Sequence, residues 1–578
     1  MKINSINTAA ALLILQLCCF SVANGQSNKP LSALVAAKLM GMEDDSLYLH
    51  PEQPKSAKWT FDLGLMFEGI DGLWERTGKG EYFKFMQRSM DYFVTNDGRF
   101  QHNELQDDRM EDMKIGRSLL TLYKVTGQIR YFKAATALSA ELKRRTGTKD
   151  GLFMGQPFYA EYAALVNDQA AFEDIANQFI LMEKYSKDFR TGSLNHGWDE
   201  YKYARAMGWY AMALVDVLEY FPENHPKRKT LQSLLKQTAF SIKNYLAQPD
   251  AKGNYMEGAT AAMFAYSLAK GHRNGDLPVS YLAIAEQAYM LVRKVFVEES
   301  PEGTIKLNDR FGLATFLLAS NELEWAGFPK AGKGKRVVLD NYFNHEIKKD
   351  QSGNDVSWHY KWAERANGGF SMWAGIFQRN GFKTEELGEG PDLKNLSHAA
   401  VYIIVDPDTE KESPRPNYIQ QHHIKDLKSW VRAGGILVLM ANDTGNTELD
   451  HFNQLAMPFG LQFNKDSKGR VNKNEYETAR IDVPARNSIF SNSKQLFVKE
   501  FSSLTLSDPA VSILKDKSGN QVMALSKFGK GKVFVIGDPW LYNEYVDGRK
   551  LPLAYDNFTA AEDLVQWLSQ QIASIHKK

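Results

Sequence analysis

Leu73-Trp74-Glu75-Arg76-Thr77-Gly78, followed by Tyr82-Phe83-Lys84, recurs 49 residues later as Leu122-Tyr123-Lys124-Val125-Thr126-Gly127, followed by Tyr131-Phe132-Lys133. Each copy reads as a helix end, a Gly stop and the start of the next helix. Weaker echoes fall at Leu165, Leu218, Leu268 and Leu318, which makes six units of two helices. A period of this length marks a repeat architecture, because one helix pair cannot bury its apolar face alone. Six pairs closing in a ring predict an all-α (α/α)6 barrel, with an open superhelix as the alternative. The spacing of Leu65, Met66, Gly69, Ile70 and Leu73 fits one of its amphipathic helices.

After Pro329 the texture changes. Gly and Lys dominate 331–335, and β-branched runs follow at 337–339, 400–405, 436–440 and 533–536, with helical patterns between several of them. This predicts a doubly wound α/β domain beginning near residue 333. At 578 residues the chain exceeds what one core usually fills, which agrees with two domains. Asp340, Asp406, Asp443 and Asp538 stand at strand ends, where such sheets bind ligands. The plainer role for these Asp residues is to hold turns and helix starts, and the balance favours it.

The N-terminus carries Lys2, an apolar run from Ala9 to Phe20, and Ala23-Asn24-Gly25 before Gln26. That is the pattern of a secretory signal over residues 1–25, and it predicts an exported, periplasmic protein. Lipidation at Cys18 or Cys19 is the competing reading. The run is too short to span a membrane and no comparable run follows. The chain's 2 cysteines both lie in this segment, so residues 26–578 hold no disulfide, thiolate metal site or Cys nucleophile. A net charge of +1 gives no bias towards nucleic acid or a membrane surface.

Local chemistry points to a sugar. Asp150 precedes an apolar helix between aromatic and sulfur-bearing neighbours, where a carboxyl is either an N-cap or an acid with a raised pKa. His196, Trp198 and Asp199, then Arg205 and Trp209, supply imidazole, guanidinium and indole groups suited to gripping a carboxylated sugar ring. No His-x-x-x-His or carboxylate run accompanies them, so neither a metal nor another cofactor is expected.

Several ordered motifs together carry a resemblance: Lys58-Trp59-Thr60-Phe61-Asp62-Leu63-Gly64, Gly116-Arg117, Asp150-Gly151-Leu152-Phe153-Met154, His196-Gly197-Trp198-Asp199-Glu200, Arg205-Ala206-Met207-Gly208-Trp209-Tyr210 and Lys252-Gly253-Asn254-Tyr255. Over residues 55–330 the chain resembles the unsaturated rhamnogalacturonyl hydrolases of glycoside hydrolase family 105, relatives of the family 88 unsaturated glucuronyl hydrolases. The resemblance implies removal of an unsaturated uronic acid from the non-reducing end of oligosaccharides released by a polysaccharide lyase. One Asp protonates the C4=C5 double bond and activates water for C5, and Asp150 matches it. The second acidic position falls at Glu111 or Asp112. His196, Arg205 and Trp209 match substrate-contacting positions, with Phe61 and Tyr203 beside them.

The chain also departs from that pattern. The segments before Asp150, between His196 and Arg205, before Lys252, and between Leu307 and Phe311 are shorter, and Tyr203 replaces a Trp. A barrel that binds uronic-acid oligosaccharides without turning them over, or one with glucuronyl specificity, are the alternatives. The C-terminal domain resembles a glutamine-amidotransferase-like module through His345, Asp406-Pro407-Asp408, Gly434-Gly435 and Gly537-Asp538-Pro539-Trp540. Without a Cys nucleophile it is expected to lack glutaminase activity and to serve in docking or sugar binding. The expected units are thus a signal at 1–25, a barrel at 26–333 and an α/β domain at 334–578.

Overall fold

The computed structural model describes residues 29–47, 59–102, 110–145, 152–185, 200–247, 258–298, 304–351 and 353–575. The signal segment, Asp150 and His196 lie outside them. The side chain of Tyr203 also lies outside, although its backbone is helical.

Up to residue 326 the described chain is helical. The helices are α1 (Leu31–Leu47), α2 (Phe61–Thr77), α3 (Gly80–Phe93), α4 (Gly116–Thr126), α5 (Ile129–Arg145), α6 (Leu152–Val166), α7 (Gln169–Tyr185), α8 (Glu200–Tyr220), α9 (Arg228–Ala247), α10 (Gly258–Arg273), α11 (Ser280–Phe296) and α12 (Arg310–Ala326). A short 3-10 turn, Met110–Ile115, precedes α4. Helices α2, α4, α6, α8, α10 and α12 touch in that order, and α12 returns to α2, so the inner ring closes. The open superhelix is thereby excluded. The odd-numbered helices pack outside it.

Composition explains which helices go inside. Every residue of α10 from Gly258 to Gly271 is buried, with Ala and Gly letting its neighbours approach. Outer α3 buries Tyr82, Phe83, Phe85, Met86, Ser89, Met90 and Phe93 along one face, the stripe expected of a surface helix. The six leucines of the repeat all fall on inner helices. The repeated Thr-Gly has a mechanical meaning. Thr77 and Thr126 donate their hydroxyls to the carbonyls of Leu73 and Leu122 at 2.7 and 2.6 Å. Gly78 and Gly127 then turn the chain at φ 62° and 68°, in the left-handed region open to glycine.

Charged groups fill the barrel axis. The Arg117 guanidinium lies 3.6 Å from Glu68, 2.9 Å from Glu161, 3.5 Å from Asp216 and 3.7 Å from Glu219. Lys270 reaches Asp216 at 2.7 Å, and Asn321 donates to the Gly69 carbonyl at 2.7 Å. All six inner helices are tied into this network.

The C-terminal part is an α/β domain around a nine-stranded sheet. Strands β1 (Arg336–Asp340), β2 (Lys383–Leu387), β3 (Val401–Val405), β4 (Ile436–Met440) and β5 (Gly531–Ile536) run parallel in the order β2-β1-β3-β4-β5. Four of the five coincide with the β-branched runs of the sequence. Beyond β5 the sheet turns antiparallel through the strand Gln521–Phe528, which the sequence reading missed. One sheet face, with Val337, Leu339, Val401 and Ile403, shares a core with Trp373, Phe377, Leu564 and the barrel helices. The other, with Val338, Tyr402 and Ile404, packs on Leu427, Trp430 and Phe452.

The α/β domain seats on the C-terminal ends of the inner helices. Arg365 donates to Asp71 at 2.7 Å and pairs with Glu75 at 2.9 Å, Trp74 Nε1 donates to the Asp547 carbonyl at 2.8 Å, and Arg379 donates to the Arg76 carbonyl at 2.6 Å. Gly80 is required here, because a Cβ would stand 2.0 Å from the Gly548 carbonyl oxygen. A cavity of about 490 Å³ remains between the two parts.

Candidate functional site

Among the described residues, the end of the barrel where the inner helices begin is left uncovered. Thr60 stands at the N-cap of α2 with extended backbone (φ −134°), and Phe61 and Asp62 follow in the first turn. Asp62 complements the positive end of its helix and lies 3.7 Å from Arg310. Asp309 caps α12 by accepting the Gly312 N–H at 2.7 Å, which places Phe311 on the same rim. Thr60, Phe61, Asp62, Glu111, Asp309 and Phe311 line a cleft of about 470 Å³.

Helix α8 packs against two of the rings that line the cleft, Phe61 and Phe311. Arg205 and Trp209 are four residues apart and share a helix face. The Trp209 ring stacks on Phe311 with centroids 5.5 Å apart and meets Phe61 edge-on at 5.9 Å. The Arg205 guanidinium sits over the Phe311 ring at 4.7 Å, in the cation–π range. Phe61, Arg205 and Trp209 are thus brought together.

The two acidic candidates differ in depth. Glu111 is exposed and lines the cleft. Asp112 is buried at 1% exposure, and its carbonyl accepts the Trp59 indole N–H at 3.0 Å. Trp59 therefore fastens the 3-10 turn that presents Glu111. Sequence reasoning missed Asp62, Asp309, Arg310 and Phe311. An Asp just ahead of an apolar helical run is the N-cap signal that would have found the last three.

In the α/β domain, Asp340 accepts the N–H groups of Tyr342, Phe343 and Asn344 at 3.3, 2.7 and 3.3 Å and the Tyr402 hydroxyl at 2.6 Å. Asp406 accepts the hydroxyls of Tyr360, at 3.1 Å, and Thr447. Asp443 accepts from Asn446 at 2.6 Å. These three hold turns. Asp538 is buried, and burial first, then Asp406, Glu500 and Asp443 nearby, push its carboxyl well above the usual range against the pull of Lys499.

Residues 34–316 match the family model of Glycosyl Hydrolase Family 88. The chain is 29% identical over 182 residues to a 24.9 kDa protein in the picA locus of Rhizobium radiobacter, covering 27% of this chain and 78% of that protein. It is 23% identical over 208 residues to the unsaturated rhamnogalacturonyl hydrolase YesR of Bacillus subtilis, covering 31% of this chain and 58% of that protein. A solved C. acetobutylicum glycoside hydrolase from family 105 aligns at 29% identity over 51% of this chain and 99% of its own, with a TM-score of 0.45. The family 88 match supports a glycoside hydrolase acting on an oligosaccharide. For the α/β domain, residues 396–543 match the model of the Lacto-N-biose phosphorylase central domain. No helix among the described residues is long and apolar enough to cross a membrane.

Proposed function

We propose that the barrel hydrolyses unsaturated galacturonyl residues from the non-reducing end of rhamnogalacturonan oligosaccharides. Asp150 is the general acid/base that protonates the C4=C5 bond and activates water, Glu111 assists from the cleft, and Asp112 braces the turn beneath it. Arg205 and His196 hold the uronate, while Phe61, Trp209 and Tyr203 flank the ring. The cleft at the inner-helix N-termini carries this reading, because it gathers a carboxylate, a guanidinium and apolar ring faces within the family 88 segment.

Residues 1–25 direct export to the periplasm, 26–333 form the catalytic unit, and 334–578 form a doubly wound, amidotransferase-like domain without a nucleophilic Cys. The deciding experiment follows ultraviolet loss of the C4=C5 chromophore on an unsaturated galacturonyl-rhamnose disaccharide, with Asp150→Asn alongside. Loss that depends on Asp150 supports the hydrolase, and full activity in Asp150→Asn sinks it. The shortened segments around Asp150 and His196 favour a second reading, a binder without turnover. Calorimetric binding with no chromophore loss would select that reading.

A further inference from the structure

Away from the barrel, three side chains on the carboxyl side of the parallel strands stand in series. His345 follows β1, and Asp408 and Ser413 follow β3. Ser413 Oγ lies 3.1 Å from His345 Nε2, and His345 Nδ1 lies 3.0 Å from Asp408 Oδ2. The same carboxylate oxygen accepts the backbone N–H of His345 at 3.1 Å, so Asp408 fixes both the main chain and the ring. His345 Nδ1 and Asp408 Oδ2 touch without a direct hydrogen bond between them; catalytic contacts of this kind often tighten only when substrate binds.

Three further features fit a reactive array. It lies on the strand edge where α/β folds bind ligands. Asp408 is buried and its Oδ1 has no hydrogen-bond partner. Ser413 is 7% exposed while the His345 side chain is 28% exposed, so access to the hydroxyl is narrow and open on the histidine side.

We propose that Ser413, His345 and Asp408 form a second catalytic site, a nucleophile–base–acid triad that hydrolyses a carboxylic ester with a small acyl group. Ser413 Oγ attacks the ester carbonyl as its proton passes to His345 Nε2. The C–O bond to the alcohol then breaks, and the imidazolium returns the proton to the departing alkoxide. Water, deprotonated by the same nitrogen, attacks the acyl-serine, and the carboxylic acid leaves as Ser413 regains its proton. Each step balances without a metal, oxidant or second substrate. Burial holds His345 below its usual range, helped by Lys361 and opposed by Glu346 and the carbonyls of Tyr342 and Arg415. Burial pushes Asp408 up to about 7, with Glu346 and Glu412 acting the same way and the His345 N–H and Lys361 against. The neutral base and charged acid therefore coexist above neutrality.

The full-length protein, treated with a fluorophosphonate and analysed by peptide mass spectrometry, is expected to carry the adduct on Ser413. Hydrolysis of p-nitrophenyl acetate at pH 8 is expected to fall about 100-fold or more in Ser413→Ala and in His345→Gln. An unlabelled Ser413, or ester hydrolysis that survives Ser413→Ala, overturns the proposal. If either variant melts below the wild type, the site of the adduct on the unaltered protein decides the question. Neither readout involves the C4=C5 chromophore, so failure here is separable from failure of the barrel assignment.

Discussion

Arg205 reaches the cleft as a planar cation laid over Phe311, and that geometry makes its fork hard to replace. Arg205→Lys keeps the charge but loses both the stacking and the paired donors. The expected result is a rise in KM of about 10- to 100-fold with a smaller change in kcat, measured by chromophore loss. Phe311→Ala should move KM the same way by a smaller factor, because it frees the guanidinium without removing it. At Gly116 the constraint is steric, since a Cβ would stand 2.4 Å from the Phe158 ring. Gly116→Ala should cost about 1–3 kcal/mol in chemical denaturation. Sequence alone marked Arg205, Trp209 and Gly116 through their motifs. It did not mark Phe311, whose part depends on two distant helices meeting at one rim, and it could not separate Glu111 from Asp112. Adjacent residues on a tight turn share a sequence position while one faces solvent and the other the core.

Inner helices carry charge on faces that in an ordinary bundle would be apolar, and the ring holds because these charges pair. Burial would by itself raise the Glu161 pKa. Lys124 and Arg117, each at 2.9 Å, outweigh it and hold the carboxyl at about 2, against 4.5 for an unburied glutamate. A folded-state pKa below the unfolded one means stability that is present above pH 4.5 and is lost as pH falls towards 2. The contribution is about 3 kcal/mol. Urea midpoints should therefore drop between pH 5 and pH 3, and Glu161→Gln should flatten that dependence while lowering stability at pH 7, since it leaves Arg117 and Lys124 undercompensated. Helix spacing and the Thr-Gly stops were legible because they are local hydrogen-bond chemistry. The ionic axis was not, because its partners stand on helices about 50 residues apart and no periodicity pairs them.

At the scale of the molecule, the α/β domain closes the barrel's floor at the C-terminal ends of the inner helices. Arg365 holds the seam through Asp71 and Glu75, and Arg365→Ala should cost about 3 kcal/mol by leaving carboxylates at the interface unpaired, read as a lower melting temperature. Because one sheet face shares its core with the barrel helices, removing residues 334–578 should expose apolar surface around Trp74 and Phe83 and yield a poorly soluble, dye-binding barrel. A soluble, cooperatively melting fragment would refute the docking role. The sequence by itself determined the six helix pairs, the change to β structure after Pro329 and four of the five parallel strands, because each follows from periodicity and turn chemistry within a few tens of residues. Tertiary structure alone decided that the ring closes, which barrel end is covered, how Glu111 and Asp112 differ in depth, and that Ser413 meets His345. These are contacts between segments far apart in the chain, set by how apolar faces and buried charges find partners once the helices and strands have formed.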